Sequence, residues 1–209
     1  MVEFSRADIA KMHHLYRINL INSCSGYKSA NLIGTKDEDG NSNVAVFSSV
    51  THFGSNPALF GFVLRPTTVL RNTYDNIKST RQFTLNHIHA DIIEDAHHTS
   101  AKYDKDISEF NMTDLQEEYK SGITAPFVKN APIQMAMKFE EEYHIKANDT
   151  LLVLGSIEHL FIENSLIEQD GFVNLSKGNI ATINGLDGYA IPNLHKRLEY
   201  QRPKDIIRE

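Results

Sequence analysis

The chain has 209 residues, 41% of them hydrophobic, enough to bury a core, and its formal net charge is −6. That balance, with no stripe of Lys and Arg, argues against nucleic acid as a partner. The one cysteine, Cys24, excludes an intramolecular disulfide and a cysteine zinc site, and no apolar run reaches membrane-spanning length.

Arg17 to Asn22 is a short mixed apolar segment. Lys28 to Thr35 predicts a strand, and Gly34 to Asn43 a hairpin turn through Asp39-Gly40-Asn41. Val44 to Thr51 alternates and predicts a strand, with Val44, Val46, Ser48 and Val50 on one side. Ala58 to Leu64 is nearly all apolar, as a strand covered on both faces should be, and it stops at Arg65-Pro66. Thr67 or Thr68 then stands where an N-cap belongs, before Val69, Leu70, Thr73, Tyr74 and Ile77 at helical spacing. Gln82 to His87 predicts a strand and Asp91 to His98 a short helix.

Ser100 to Lys129 is polar and turn-rich, with one helical turn expected near Asp114 to Tyr119. Two long strands follow. In the first, Ile133, Met135, Met137, Phe139, Tyr143 and Ile145 form the apolar face, with Glu141 as the exception. The second runs from Leu151 to Ile162 and is expected to be more buried, with Asn148-Asp149 as the bend between them. The expected fold is mainly β, an antiparallel split β-barrel with a few short peripheral helices. No repeat or linker divides residues 1–209, and a C-terminal extension begins at about 180. The N-terminus has no basic segment leading into an apolar stretch, which predicts a cytoplasmic protein.

No Gly-x-Gly-x-x-Gly, Walker-type loop or Gly-x-Ser-x-Gly elbow is present, so dinucleotide-fold, nucleotide-hydrolase and serine-hydrolase readings lose their usual support. Among the ten histidines, His87 and His89 would point the same way from a strand. Glu94 with His97, or Asp95 with His98, would share a helix face. A di-iron site needs two such helices in a bundle, so no metal site is expected. Cys24, with no base nearby, reads as a buried spectator thiol.

The informative cluster lies between Asn31 and Thr68. Hydroxyls collect at Phe47-Ser48-Ser49-Val50-Thr51, and Arg65-Pro66-Thr67-Thr68 precedes a helix start. A guanidinium, hydroxyls and unpaired helix amides are what a phosphate needs. The plainer reading, a capping threonine and a solvated arginine, stands level with it on chemistry alone.

The series Ser29-Ala30-Asn31-Leu32-Ile33-Gly34-Thr35, Phe47 to His52, Ser55-Asn56-Pro57 and Gly61 to Thr67 resembles the flavin reductase-like, FMN-binding split-barrel family. The likeness continues through Phe83-Thr84-Leu85-Asn86 and His98 to Tyr103, as far as Gly155-Ser156-Ile157. The resemblance implies a flavoprotein holding FMN, with NAD(P)H as co-substrate. By resemblance, Phe47, Ser48, Ser49, Val50 and Thr51 form the loop at the flavin ring edge and ribityl chain, and Asn31 lies on the ring or ribityl side. Arg65, Thr67 and Thr68 form the phosphate clamp, Asn86 stands beside the pocket, and Ser100, Ala101 and Lys102 close over the cofactor. It also implies a homodimer, with a protein or small molecule as electron acceptor. The tail from Asn184 to Pro203 departs from the small two-component reductases. An FMN-bound electron carrier is the alternative, and a flavin-free binding module is a third reading that the intact Arg65-Pro66-Thr67-Thr68 and Ser48-Ser49 clusters argue against. No side chain is expected to act as a general acid or base.

Overall fold

The computed structural model describes residues 1–66, 71–104 and 106–203. Ser5 opens α1 (Arg6–Lys11) with a capping box, its hydroxyl accepting from the Asp8 amide while the Asp8 carboxylate accepts from the Ser5 amide. α2 (His14–Cys24) takes in the Arg17–Asn22 segment and buries no residue. Cys24 ends this helix exposed, not buried as expected.

The strands follow as β1 (Lys28–Ser29), β2 (Asn31–Lys36), β3 (Ser42–Phe47), β4 (Thr51–Ser55) and β5 (Ala58–Leu64). α3 (Asn72–Thr80), β6 (Gln82–His87), α4 (Ile93–His98), β7 (Glu117–Glu118) and β8 (Phe127–Val128) come next. β9 (Ile133–Ile145), β10 (Thr150–Ile162), β11 (Thr182–Asn184) and β12 (Gly188–Ala190) complete the order.

Seven strands make one antiparallel sheet in the order β3-β2-β6-β9-β10-β5-β4. β3 and β4 are its two edges, yet only residues 48–50 separate them in the chain. The sheet must therefore coil until its edges approach without a ladder between them. This is the expected split barrel. Ile33, Phe62, Phe83, Leu85, Met137 and Val153 fill its interior. Leu32, Val44, Ile88, Ala96 and Val128 form a second cluster on the outer face of β2 and β3, capped by α4.

Four expectations are corrected. The strand from Val44 ends at Phe47, and Ser48 to Val50 form a bend held by long-range bonds. No helical turn forms at Asp114 to Tyr119; β7 pairs there with β8 instead, because tertiary pairing overrides a weak local preference. α3 begins at Asn72, later than expected, with Arg71 at its cap and no side-chain cap bond; the N-cap expected at Thr67 or Thr68 lies outside the described residues.

The fourth correction concerns β9. Gly155 faces Phe139 while Leu154 faces Glu141, which leaves Glu140 as an extra residue. One extra residue exchanges the faces of everything beyond it. Tyr143 and Ile145 consequently point outward, 51% and 37% exposed. Glu142 turns in and accepts from the Tyr74 hydroxyl and the Lys78 ammonium, both at 3.1 Å. Asp149, at the bend into β10, has a φ of 56°, a conformation that Asn and Asp tolerate.

Candidate functional site

The site is built around the bend from Ser48 to Val50. Two side chains hold it. The Ser29 hydroxyl donates to the Val50 carbonyl at 2.7 Å, tying the bend to β1. The Ser49 hydroxyl accepts from the Val63 amide at 3.0 Å and donates to the Val63 carbonyl at 3.1 Å. Thr51 pairs with Gly61 in the ladder, so residue 49 is the next to face Val63. Ser49 makes that pairing with its side chain, and its main chain is released. The amides of Ser48, Ser49 and Val50 donate no hydrogen bond among the described residues.

This brace also fixes the distance to the cation. Arg65 lies two residues beyond Val63, or roughly 7 Å along an extended chain. The bend and Arg65 thus share one end of the β4–β5 edge. Arg65 is exposed and forms no ion pair with a described residue. Free amides beside an unengaged guanidinium suit an anionic, oxygen-rich ligand.

Asn31 is one ladder position from the bend, paired with Phe47 on one side and with His87 on the other. It is 1% exposed, and neither its amide oxygen nor its amide nitrogen has a hydrogen-bond partner. His87 Nδ1 is likewise buried and unpartnered, and burial pushes its imidazole down to about 4. Phe47 meets Phe62 edge to face, with ring centroids 5.1 Å apart, and closes this end of the interior.

The Asn86 side chain is engaged within the fold. Its amide donates to the Leu32 carbonyl at 3.2 Å and to the Thr84 hydroxyl at 2.9 Å, and it accepts from the Val128 amide at 3.0 Å. It is a brace between β2, β6 and β8, facing away from His87. Ser100, Ala101 and Lys102 are exposed just past α4, whose buried face packs on the outer cluster. No hydrogen bond among the described residues joins them to the bend. Ser29, Val63 and His87 were not singled out as site residues by sequence reasoning. No local signal marks the first two, because their roles rest on contacts 21 and 14 residues away.

Among the described residues no helix is long and apolar enough to cross a membrane. Residues 26–180 match the family model described as a flavin reductase like domain. The solved structures similar to this chain include a Shewanella frigidimarina protein assigned as a flavin reductase with a split barrel domain. The two share 42% identity over 96% of this chain and 100% of that one, with a TM-score of 0.93. Flavoredoxin of Desulfovibrio vulgaris is 18% identical, covering 84% of this chain and 92% of its own, with a TM-score of 0.72. An FMN-binding protein from Thermus thermophilus, solved with 1-cyclohex-2-enone, is 16% identical over 83% and 90%, with a TM-score of 0.70. At the last two identities the likeness is one of fold.

Proposed function

The chain belongs to the family of flavin reductase like domains, and from that premise we propose that it binds FMN at the Ser48–Thr51 bend and passes hydride from NAD(P)H to the flavin. The observation that carries this reading is the Ser49–Val63 brace, which releases three successive amides beside Arg65. The unpartnered Asn31 amide one ladder position away adds a donor and an acceptor at the same end of the barrel.

FMN, when bound, would supply the redox chemistry as the hydride acceptor. The residues of the chain position and polarise it. Arg65 holds the phosphate through charge-assisted bonds, with Thr67 and Thr68 assigned to the same clamp. The Ser48, Ser49 and Val50 amides, with Thr51 beside them, would hold the ring edge and stabilise negative charge there. Because Ser29 and Ser49 fix the bend beforehand, these donors need not reorganise during the reaction.

The same reading assigns a homodimer, in which Ser100, Ala101 and Lys102 close over the partner's flavin. Its support is exposed apolar surface. Leu15 and Tyr16 on α2 are 63% and 56% exposed, and Leu198 and Tyr200 on the tail 73% and 92%. Arg197 anchors that tail by a double contact to Asp170, at 2.6 and 3.4 Å. A protein or small molecule would then take the electrons onward.

The test is the visible spectrum of the purified protein, before and after adding FMN and desalting. Retained flavin bands support the assignment. Their absence in both samples contradicts it.

A further inference from the structure

Past the Asn31–His87 pair, strands β2 and β6 part. Ile88 still donates to the Ala30 carbonyl at 3.3 Å. Residues 179–183 then enter the fork, where Ile180 bridges His89 and Thr182 pairs with Ser29. Alternation along these strands puts Asn31, His87, His89, Ile180 and Asn184 on one face. Ala30, Leu32, Ile88, Ala181 and Ile183 fall on the opposite face, and all five belong to the outer cluster. Ile180 belongs to the interior cluster, so its face looks into the barrel.

That inward face is polar and unsatisfied. Both amide atoms of Asn31, Nδ1 of His87, Nε2 of His89 and Oδ1 of Asn184 are buried without a hydrogen-bond partner. Each such atom left dry carries an uncompensated desolvation cost. Ordered water bridging them relieves that cost, since a polar site with several partners is where buried water is held. His89 differs from the rest because it reaches the surface. Its Nδ1 lies 3.7 Å from the carboxylate of Asp91, whose side chain is 91% exposed, while its Nε2 is buried.

We propose that His89 is the entrance of a proton path that runs from solvent at Asp91, through ordered water past His87 and Asn31, to the flavin bend. This rests on the flavin reading. Hydride delivers two electrons and one hydrogen, and neutral reduced flavin needs one proton more, drawn from solvent. His89 takes that proton at Nδ1 and releases one from Nε2, returning to the neutral state by tautomer exchange. No charge is left on the protein. His87 remains neutral in its buried position, so it relays without trapping the proton. Asn31, next to Phe47 in the ladder, hands the water chain to the bend.

The experiment is anaerobic stopped-flow reduction of the FMN-loaded protein by NADH or NADPH, reading flavin bleaching and a pH-indicator dye together. In the wild type, proton uptake should keep pace with bleaching. In His89→Phe, which preserves ring packing, uptake should lag by at least tenfold. In His89→Ala, added imidazole should restore it, an effect that a merely structural histidine does not predict. A separate reading needs no cofactor: the His87 ring-nitrogen NMR resonances of the FMN-free protein should move in His89→Phe as the shared water is lost. Uptake as fast as wild type in both variants, or unmoved His87 resonances, overturns the path and leaves the flavin assignment intact. Absence of bleaching in the wild type overturns the reductase reading and the path with it.

Discussion

The hydroxyl of Ser49 does for Val63 what a neighbouring strand would do, accepting its amide at 3.0 Å and donating to its carbonyl at 3.1 Å. This exchange of side chain for main chain is why three amides of the bend are left to face a ligand. Ser49→Ala removes both bonds, and re-pairing of the main chain with Val63 would turn those amides inward. FMN affinity should fall at least fivefold while stability drops by about 1 kcal/mol. Ser49→Thr, which keeps the hydroxyl, should restore most of the affinity. Equilibrium dialysis and urea unfolding of both variants check this, and equal affinity in Ser49→Ala contradicts the brace.

Arg65 is exposed and forms no ion pair with a described residue, so its removal should cost the fold little. Charge-assisted bonds to phosphate contribute about 1.5–3 kcal/mol, so Arg65→Ala should weaken FMN retention by roughly 10- to 100-fold. The apo-protein should melt within a degree or two of wild type. Unchanged FMN affinity would remove the phosphate clamp from the account.

His87 makes stability sensitive to acid. Its folded value, pushed to about 4 by burial, lies below the ordinary imidazole value of 6.5. A depressed value means that the folded state resists protonation. The contribution is therefore present above pH 6.5 and is lost as pH falls from there through about 4. The full loss is about 3 kcal/mol at most. His87→Leu should flatten the pH dependence of urea unfolding across this window. A profile as steep as wild type would show that another group is responsible.

Glu109 works in the opposite sense. Its carboxylate accepts the Val44 amide at 3.2 Å while buried against β3, and burial raises it above the usual carboxyl range. A raised folded value favours folding below the unfolded value, and that contribution is lost as pH rises through the folded one. Gln at this position keeps an acceptor for Val44 without carrying charge. Relative to wild type, Glu109→Gln should gain stability as pH rises above the ordinary carboxyl range, by about 1 kcal/mol. A difference that does not vary with pH would contradict the burial argument.

Gly34 sits where the chain admits no side chain. A Cβ there would fall inside contact distance of the Pro126 carbonyl oxygen and 2.6 Å from the Thr84 hydroxyl. That hydroxyl donates to the same carbonyl at 2.6 Å. Backbone cannot yield as a flexible side chain does, so Gly34→Ala should destabilise by about 3 kcal/mol or more. A melting temperature equal to wild type would show that the Pro126 segment moves freely.

The parts of the fold that were legible in the sequence are those decided locally. β5 and β6 begin and end where their apolar runs do, because Arg65-Pro66 stops one and turn residues bound the other. β9 and β10 were legible as strands. The phase of β9 beyond Phe139 was not, since the bulge that flips Tyr143 and Glu142 is set by pairing with Leu154 and Gly155 across the turn. The bend was read as strand for the same kind of reason. Nothing within Ser48 to Val50 forbids extension, and the bonds that break it come from Ser29 and Val63. Arg65 and the hydroxyl cluster were legible as chemistry. The commitment of Asn86 to Leu32, Thr84 and Val128 was not, because an amide's partners are a matter of tertiary packing.

The central claim is that this barrel holds flavin and reduces it with a nicotinamide. Adding NADH, and separately NADPH, to the FMN-loaded protein without oxygen tests it most directly. Rapid bleaching of the flavin bands by either nucleotide is the predicted result. Bands that persist with both, yet bleach with a chemical reductant, would contradict the reductase reading and leave an FMN-bound electron carrier in its place.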